Sequence, residues 1–382
     1  MKKNFLIKQY ISDKKMKIRH NYLSEQFKNS NKIFNYIKNT VEFNDFTLGR
    51  YVELFEKEFC KYQKSKYAIG VGSGTDAIFL SLKALGIGKG DEVITPTYSF
   101  YATAGAIATS GAKPVFVDIK DDLNIDEDKI EKKITKKTKA IVPVHWSGRI
   151  CNMEKIIKIA KKYKLHIVED ACHAILAYDN KKKFAGNFGI TGCFSMHPLK
   201  NLNVWGDGGI ITTNNRRIYE KLKLMRNHGL VSRDNCKIYG YNSRLDTIQA
   251  AVALQMIKKI NHITYARIKN ANYLNKNLKD INEIKIISER KGYKSVYHLY
   301  QFFCEKRNML NKYLRKNKID SKIHYPIPLH LHDAAKVYKY KKGQFKNAER
   351  LTEKVISIPV HEFVKKNELS FIISKIKAFY KK

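Results

Sequence analysis

The chain has 382 residues, 73 of them Lys or Arg against 35 Asp or Glu, for a formal net charge of +38 at pH 7. That length leaves room for a large core in two or three domains; no apolar run reaches transmembrane length, and the first residues, MKKNFLIKQYISDKKMKIRH, lack the uninterrupted apolar stretch of a signal peptide, so a cytoplasmic protein without membrane insertion is expected. The lysines are spread along the chain, as in segments 132–139, 155–164 and 336–346, which argues for solvated helix faces over a nucleic-acid groove; the six cysteines form no CxxC pair, which argues against a zinc ribbon or a disulfide framework.

Residues 1–40 show no clear periodicity and are read as an N-terminal arm. A weak strand, Tyr67 to Val71, leads through Gly72-Ser73-Gly74-Thr75 into a helix from Asp76 to Leu85. Backbone N–H groups at that helix start, with the Ser73 and Thr75 hydroxyls, would face a phosphate dianion at the favourable end of the helix dipole. Taken alone, an ordinary strand-to-helix turn capped by Ser or Thr explains the segment better.

A strand at Glu92 to Thr95, an Ala-rich helix from Tyr101 to Thr109 and strands at Pro114 to Asp118 and Ala140 to Val144 follow. A helix from Asn152 to Tyr163 carries Met153, Ile156, Ile157, Ala160 and Tyr163 on one apolar face. The next strand, Leu165 to Val168, delivers Glu169-Asp170, and a carboxylate there can pair with a pyridinium N–H. The run GCFSMHPLKNLNVWGDGGIITTN, Gly192 to Asn214, sets Lys200 between two short strands with a glycine turn before the second, Gly209 to Thr213.

Repeated β-α-β units imply an α/β fold with a mostly parallel sheet, whose ligands lie at the carboxyl ends of strands. Asp170, Lys200 and Gly74-Thr75 all fall at such ends. An amine that can condense with an aldehyde, an anion for a ring nitrogen and a nest of donors for a phosphate are together what pyridoxal 5'-phosphate (PLP) requires. From Ser243 to about Asn272 one long helix is expected, with Leu245, Ile248, Val252 and Met256 on one face, leading into a smaller α+β domain. There Val296 to Cys304 reads as a strand, Met309 to Lys316 as a helix and His324 to Pro328 as a loop. The expected organisation is an arm at 1–40, a large PLP-binding α/β domain at 41–260 and a small domain at 261–382.

The segments VGSGTDAIFLSLKALGIGKGDEVITPTYSF, AIVPVHWSG, VEDACHA, GCFSMHPLKNLNVWGDGGIITTN, RNHGL and GYNSRLDTIQAA together resemble the DegT/StrS type of sugar aminotransferase, among the fold type I PLP enzymes, from about Phe46 to the C-terminus. The resemblance implies that Lys200 carries the cofactor covalently, Asp170 partners its ring nitrogen, and Gly74, Thr75 and Ser195 hold its phosphate. It implies a stacking ring at Phe100, with a core phenylalanine as the alternative, and a neighbour of the 3' oxygen at His173, with a hydrogen-bonded core histidine as the alternative. Asn242 matches an asparagine that reaches the phosphate of the neighbouring subunit, which implies a homodimer with shared active sites. Arg244, His324, Tyr325, His330 and His332 are candidates for the sugar substrate, with solvated loop residues as the alternative.

The resemblance further implies transfer of an amino group, from L-glutamate, to a nucleotide-diphosphate-linked keto-sugar, giving an amino sugar for surface polysaccharide or a related glycan. Dehydratases of the same family carry histidine in place of the lysine, so Lys200 favours transamination. Met196 and Leu199 depart from the commoner SFHPTKN form of the motif and bear on the subfamily and its sugar. A dehydratase, regulator or binding protein of the same fold remains the alternative.

Overall fold

The structure is a computed structural model and describes residues 15–381; residues 1–14 of the expected arm lie outside it. Five apolar segments form parallel strands because runs such as EVITP and HIVED can be buried on both faces. They are β2 (Glu92–Pro96), β3 (Lys113–Val117), β4 (Thr138–Ile141), β5 (His166–Asp170) and β6 (Thr191–Ser195). With β1 (Tyr67–Val71) and β7 (Gly209–Thr213) they make one seven-stranded sheet in the order β1-β7-β6-β5-β4-β2-β3. Only β7 runs against its neighbours, β1 and β6, so the carboxyl ends of β1, β5 and β6 share one edge with the start of β7. The register runs Val71 to Gly209 to Ser195 across that edge, with Asp170 beside Cys193.

The helices expected around the sheet are present as α3 (Gly74–Ala84), α4 (Tyr101–Thr109) and α5 (Met153–Lys162), and the structure adds α1 (Asn31–Glu42), α2 (Arg50–Gln63) and α6 (Arg216–Met225), of which α1 lies largely within the expected arm. On α5, Met153, Ile156 and Ala160 are buried as its periodicity requires, with Asn152 as a side-chain N-cap. Tyr163 departs from the expected face and is 38% exposed, because the helix has ended before it. After a short hairpin of β8 (Leu230–Ser232) and β9 (Asn235–Cys236), the long helix expected from Ser243 divides into α7 (Thr247–Ile257) and α8 (Ile260–Leu278). Residues 243–246 precede the first helix, and Lys258 and Lys259 separate the two.

Helix α8 passes from one core to another: Ile260 and Ile263 pack with the sheet core, while Ala271, Leu274 and Leu278 join a second cluster. That cluster surrounds a three-stranded antiparallel sheet of β10 (Ile284–Ile286), β11 (Tyr300–Cys304) and β12 (Val355–Ile358). Three helices complete this part: α9 (Arg307–Lys316), α10 (Lys346–Lys354) and α11 (Lys366–Tyr380). Strand β11 is shorter than expected because residues 296–299 are spent on contacts to the large sheet's loops, such as His298 N donating to Ser147 O at 3.0 Å. The described part of the N-terminal segment lies against both cores: Ile18, Tyr22 and Ile33 are buried, and Ile18 bridges Ile319. Among the described residues, no helix is long and apolar enough to cross a membrane.

Candidate active site

The shared edge of β1, β5, β6 and β7 gathers Asp170, Ser195, Gly74 and Lys200. Asp170, the last residue of β5, is 5% exposed. Its Oδ2 accepts from Thr103 Oγ1 at 2.8 Å, and its Oδ1 accepts from the Cys172 N–H at 3.2 Å. Because the single Thr103 proton goes to the carboxylate, the Ser99 hydroxyl donates to Thr103 Oγ1, at 2.7 Å. A carboxylate has about four acceptor directions, so these bonds fix the plane of the group and still leave acceptor capacity unused.

Lys200 follows β6 in the turn of residues 196–203, its N–H donating to His197 O at 2.8 Å. Burial lowers the pKa of its amine below the ordinary lysine value, and the neighbouring Cys172 and Asp170 oppose that shift. Cys172, His173, Ser195, Met196 and Lys200 line one cavity. Burial also pushes the Cys172 thiol well up, so it stands there as a neutral group.

Helix α3 opens against this cavity. A Cβ on Gly74 would lie 2.6 Å from Ser195 Cβ and 3.0 Å from Cys172 Sγ, so only glycine lets the helix start approach the end of β6 so closely. The first N–H groups of a helix have no carbonyl one turn back, and those of Gly74 and Thr75 are such donors. Ser73 is the N-cap that the alternative reading of this turn gives, its Oγ accepting from Asp76 N at 3.1 Å and its own proton left to donate. Thr75 is exposed, and Ser195 Oγ accepts from His197 N at 3.3 Å, which leaves its own proton to give.

His173 is 8% exposed, with its ring 4.9 Å from that of Trp146 and 4.2 Å from that of His298. Its Nδ1 accepts from the Ser147 N–H at 3.2 Å, and burial holds its pKa well below the ordinary value, so the neutral ring carries its proton on Nε2. His298 was not singled out from sequence: its backbone is bound in a loop, and only folding brings its ring to His173. Burial lowers its pKa as well, and its Nδ1 is buried without a hydrogen-bond partner. A signal was present in the consecutive aromatic and polar pattern VYHLY, which was read only as strand.

The other candidates are placed less directly. Phe100 is 39% exposed, its ring 4.1 Å from Tyr101 and 5.7 Å from Tyr325, and Tyr325 in turn lies 5.7 Å from Trp146. His324 bonds Ser357 Oγ through Nδ1 at 3.0 Å and is pushed down to about 3 by burial, then by Lys322 and Lys200. His330 is a correction. It is 2% exposed, with Nδ1 on Thr97 Oγ1 at 2.7 Å and Nε2 on Glu349 Oε1 at 3.0 Å, so neither ring nitrogen is left for a substrate. His332 lies 5.9 Å from the Tyr101 ring. Asn242 is exposed and bridges Asn227, five residues before α7, so it does not stand at that helix's start. Arg244 is half-buried and donates to Asn227 Oδ1 at 3.2 Å.

These residues fit PLP on two features of the chain itself. The contact of Gly74 with Ser195 forms a cradle that a Cβ would fill, with two helix-start N–H donors and a hydroxyl around it. The fixed tautomer of His173 leaves an N–H donor on the cavity that holds the Lys200 amine. Among the described residues no group of three or more metal-ligating side chains is present.

A sequence profile of the DegT/DnrJ/EryC1/StrS aminotransferase family matches residues 28–377. The pleiotropic regulatory protein of Geobacillus stearothermophilus is 38% identical over 363 residues, covering 94% of this chain and 97% of its own. The dTDP-3-amino-3,6-dideoxy-alpha-D-galactopyranose transaminase of Aneurinibacillus thermoaerophilus is 35% identical over 337 residues, 87% of this chain and 91% of its own. The crystal structure of S. venezuelae DesV, in complex with a ketimine intermediate, is similar with a TM-score of 0.93 at 31% identity, covering 96% of this chain and 99% of that one. One solved structure similar to this chain, ntda from Bacillus subtilis, at 31% identity and a TM-score of 0.86, has PMP as its bound cofactor. The chain thus belongs to the DegT/DnrJ/EryC1/StrS aminotransferase family, as a fold type I, PLP-dependent sugar aminotransferase.

Proposed function

We propose that the protein moves an amino group from L-glutamate to a keto-sugar carried by a nucleotide diphosphate, as a cytoplasmic homodimer supplying an amino sugar for a surface polysaccharide or related glycan. The observation that carries this reading is the convergence of the Lys200 amine, the Asp170 carboxylate and the Gly74–Ser195 cradle at one sheet edge. The relative from Aneurinibacillus thermoaerophilus, named for a dTDP-linked amino sugar, supports the substrate class.

Each residue has a task that follows from its surroundings. The N–H groups of Gly74 and Thr75 and the Ser195 hydroxyl would hold the cofactor's phosphate, and His173 Nε2–H would donate to the ring's oxygen. The Asp170 carboxylate, steadied by Thr103 and the Cys172 N–H, would keep the ring nitrogen protonated. The cofactor, when bound, supplies an electron sink for the charge left when the donor's α-proton is removed. Lys200 would anchor the cofactor and then, once displaced, take that proton on Nζ. Burial favours the neutral amine that a base requires. His324 and Tyr325 remain the proposed contacts for the sugar.

Absorption spectroscopy tests the reading. On adding L-glutamate to the PLP-loaded protein, the near-visible band should disappear as one equivalent of 2-oxoglutarate forms, and an NDP-keto-sugar should restore it. A second reading, a regulator of the same fold, draws on the name of the relative from Geobacillus stearothermophilus. A band indifferent to every amino-acid donor would favour the regulator.

A further inference from the structure

The turn that carries Lys200 has little regular structure of its own, so its shape must be imposed from outside. Five side chains, two of them from the N-terminal segment, do so in a circuit that closes on two main-chain carbonyls of the turn. Asn203, fully buried, gives one amide proton to Pro198 O and the other to Gln26 Oε1 at 2.7 Å, which ties the two ends of the turn together. Gln26 Nε2 donates to Glu362 Oε1 at 3.3 Å, and Glu362 Oε2 pairs with Arg267 Nε at 3.6 Å. Arg267 Nη2 donates to Tyr22 OH at 2.6 Å, and the Tyr22 hydroxyl returns to the turn at Lys200 O, 3.4 Å away. That last contact is long for a hydroxyl bond, but the ring has nowhere else to go. Tyr22 is 2% exposed, stacked on His361 with centroids 4.4 Å apart and covered by the Arg267 guanidinium.

We infer that Tyr22 and Gln26 are positioning residues for Lys200, so that the N-terminal segment is a working part of the active site. Lys200 owes its reactivity to an amine kept in a poorly solvated place. The turn's main chain decides where that amine stands. Asn203 Oδ1, Arg267 Nε and Glu362 Oε2 already lack a hydrogen bond in this circuit, the last two meeting only as an ion pair, so the bonds that are made carry the turn's shape and each one lost leaves further buried groups unpaired. Breaking the circuit at Tyr22 or Gln26 would let the turn relax and the amine reach water. The same bonds tie the turn to Arg267 on α8 and Glu362 after β12, so both cores set the position of one amine.

The inference rests on Lys200 being the reacting amine, and its test is read first without cofactor. In the apoprotein, the pH dependence of reductive methylation at Lys200, followed by mass spectrometry of its peptide, should show a midpoint below that of the exposed lysines. Tyr22→Phe keeps the stacked ring and loses only the hydroxyl, and Gln26→Met keeps the volume and loses the amide. Both should move the Lys200 midpoint up towards the exposed lysines. In the loaded enzyme kcat should fall about tenfold or more, the loss of a bond of ordinary strength, with KM for the keto-sugar little changed. A Lys200 midpoint and kcat unmoved in both variants overturn the inference, even if thermal stability drops, because that is what a purely structural role would give. A wild-type Lys200 midpoint equal to that of surface lysines would instead strike at the active-site reading itself.

Discussion

Lys200, Asp170 and Gly74 were legible because each sits where a strand ends, and the chemistry of one cofactor needs an amine, an anion and a donor nest in those places. The capping reading of Ser73 holds for a local reason: a serine before a helix is claimed by the helix's own N–H groups. His330 was misjudged for a distant one, since Thr97 and Glu349 lie 233 and 19 residues away from it in sequence and nothing local announces them. At this scale the clearest outcome concerns pH. The folded-state pKa of Lys200 lies below its ordinary value of 10.5, so between those two values the unfolded chain binds the extra proton and stability rises with pH. Below the lowered value both states are protonated and folding bears the full burial cost. Lys200→Met should therefore make the apoprotein more stable than wild type at pH 7, with the advantage shrinking as pH approaches 10.5. Thermal unfolding across that range measures it, and a constant difference would mean that the amine is not buried.

At the scale of elements, the sheet was readable because buried parallel strands are short apolar runs bounded by turn signals. Strands β1 and β7 were recovered with their boundaries, as was α4. The long helix was not, because residues on both sides of Lys258-Lys259 keep a helical apolar spacing while the chain breaks between them. A contact that shapes the proposed phosphate cradle was also invisible: Gly209, opening β7, runs directly against the start of α3, where a Cβ would lie 2.2 Å from Ser73 O. Gly209→Ala should push that turn away, at a cost of about 1–3 kcal/mol of stability from overpacking. Cofactor retention should weaken in the same variant, as equilibrium dialysis of PLP against the folded protein would reveal. Wild-type affinity in Gly209→Ala would separate the nest from the cofactor.

For the whole molecule, the fold and the cofactor class were legible, while the role of the N-terminal segment was not, since residues 17–27 have little periodicity and owe their order to partners such as Arg267 and Asn203. The proposed homodimer makes a prediction of its own. A two-fold pair uses each contact twice, so mixing inactive Lys200→Ala chains with inactive Asn242→Ala chains should yield hybrids with one intact site and recover up to about a quarter of wild-type activity under statistical assembly. Differentially tagged heterodimers with no activity above the parents would confine Asn242 to its own subunit.

The central claim is that Lys200 is the amine that carries the cofactor. Borohydride reduction of the PLP-loaded protein, followed by proteolysis and mass spectrometry, reads it directly. The phosphopyridoxyl mass should appear on the peptide containing Lys200 and be absent from the Lys200→Ala protein. The same label on another lysine, or its persistence in Lys200→Ala, would contradict the account.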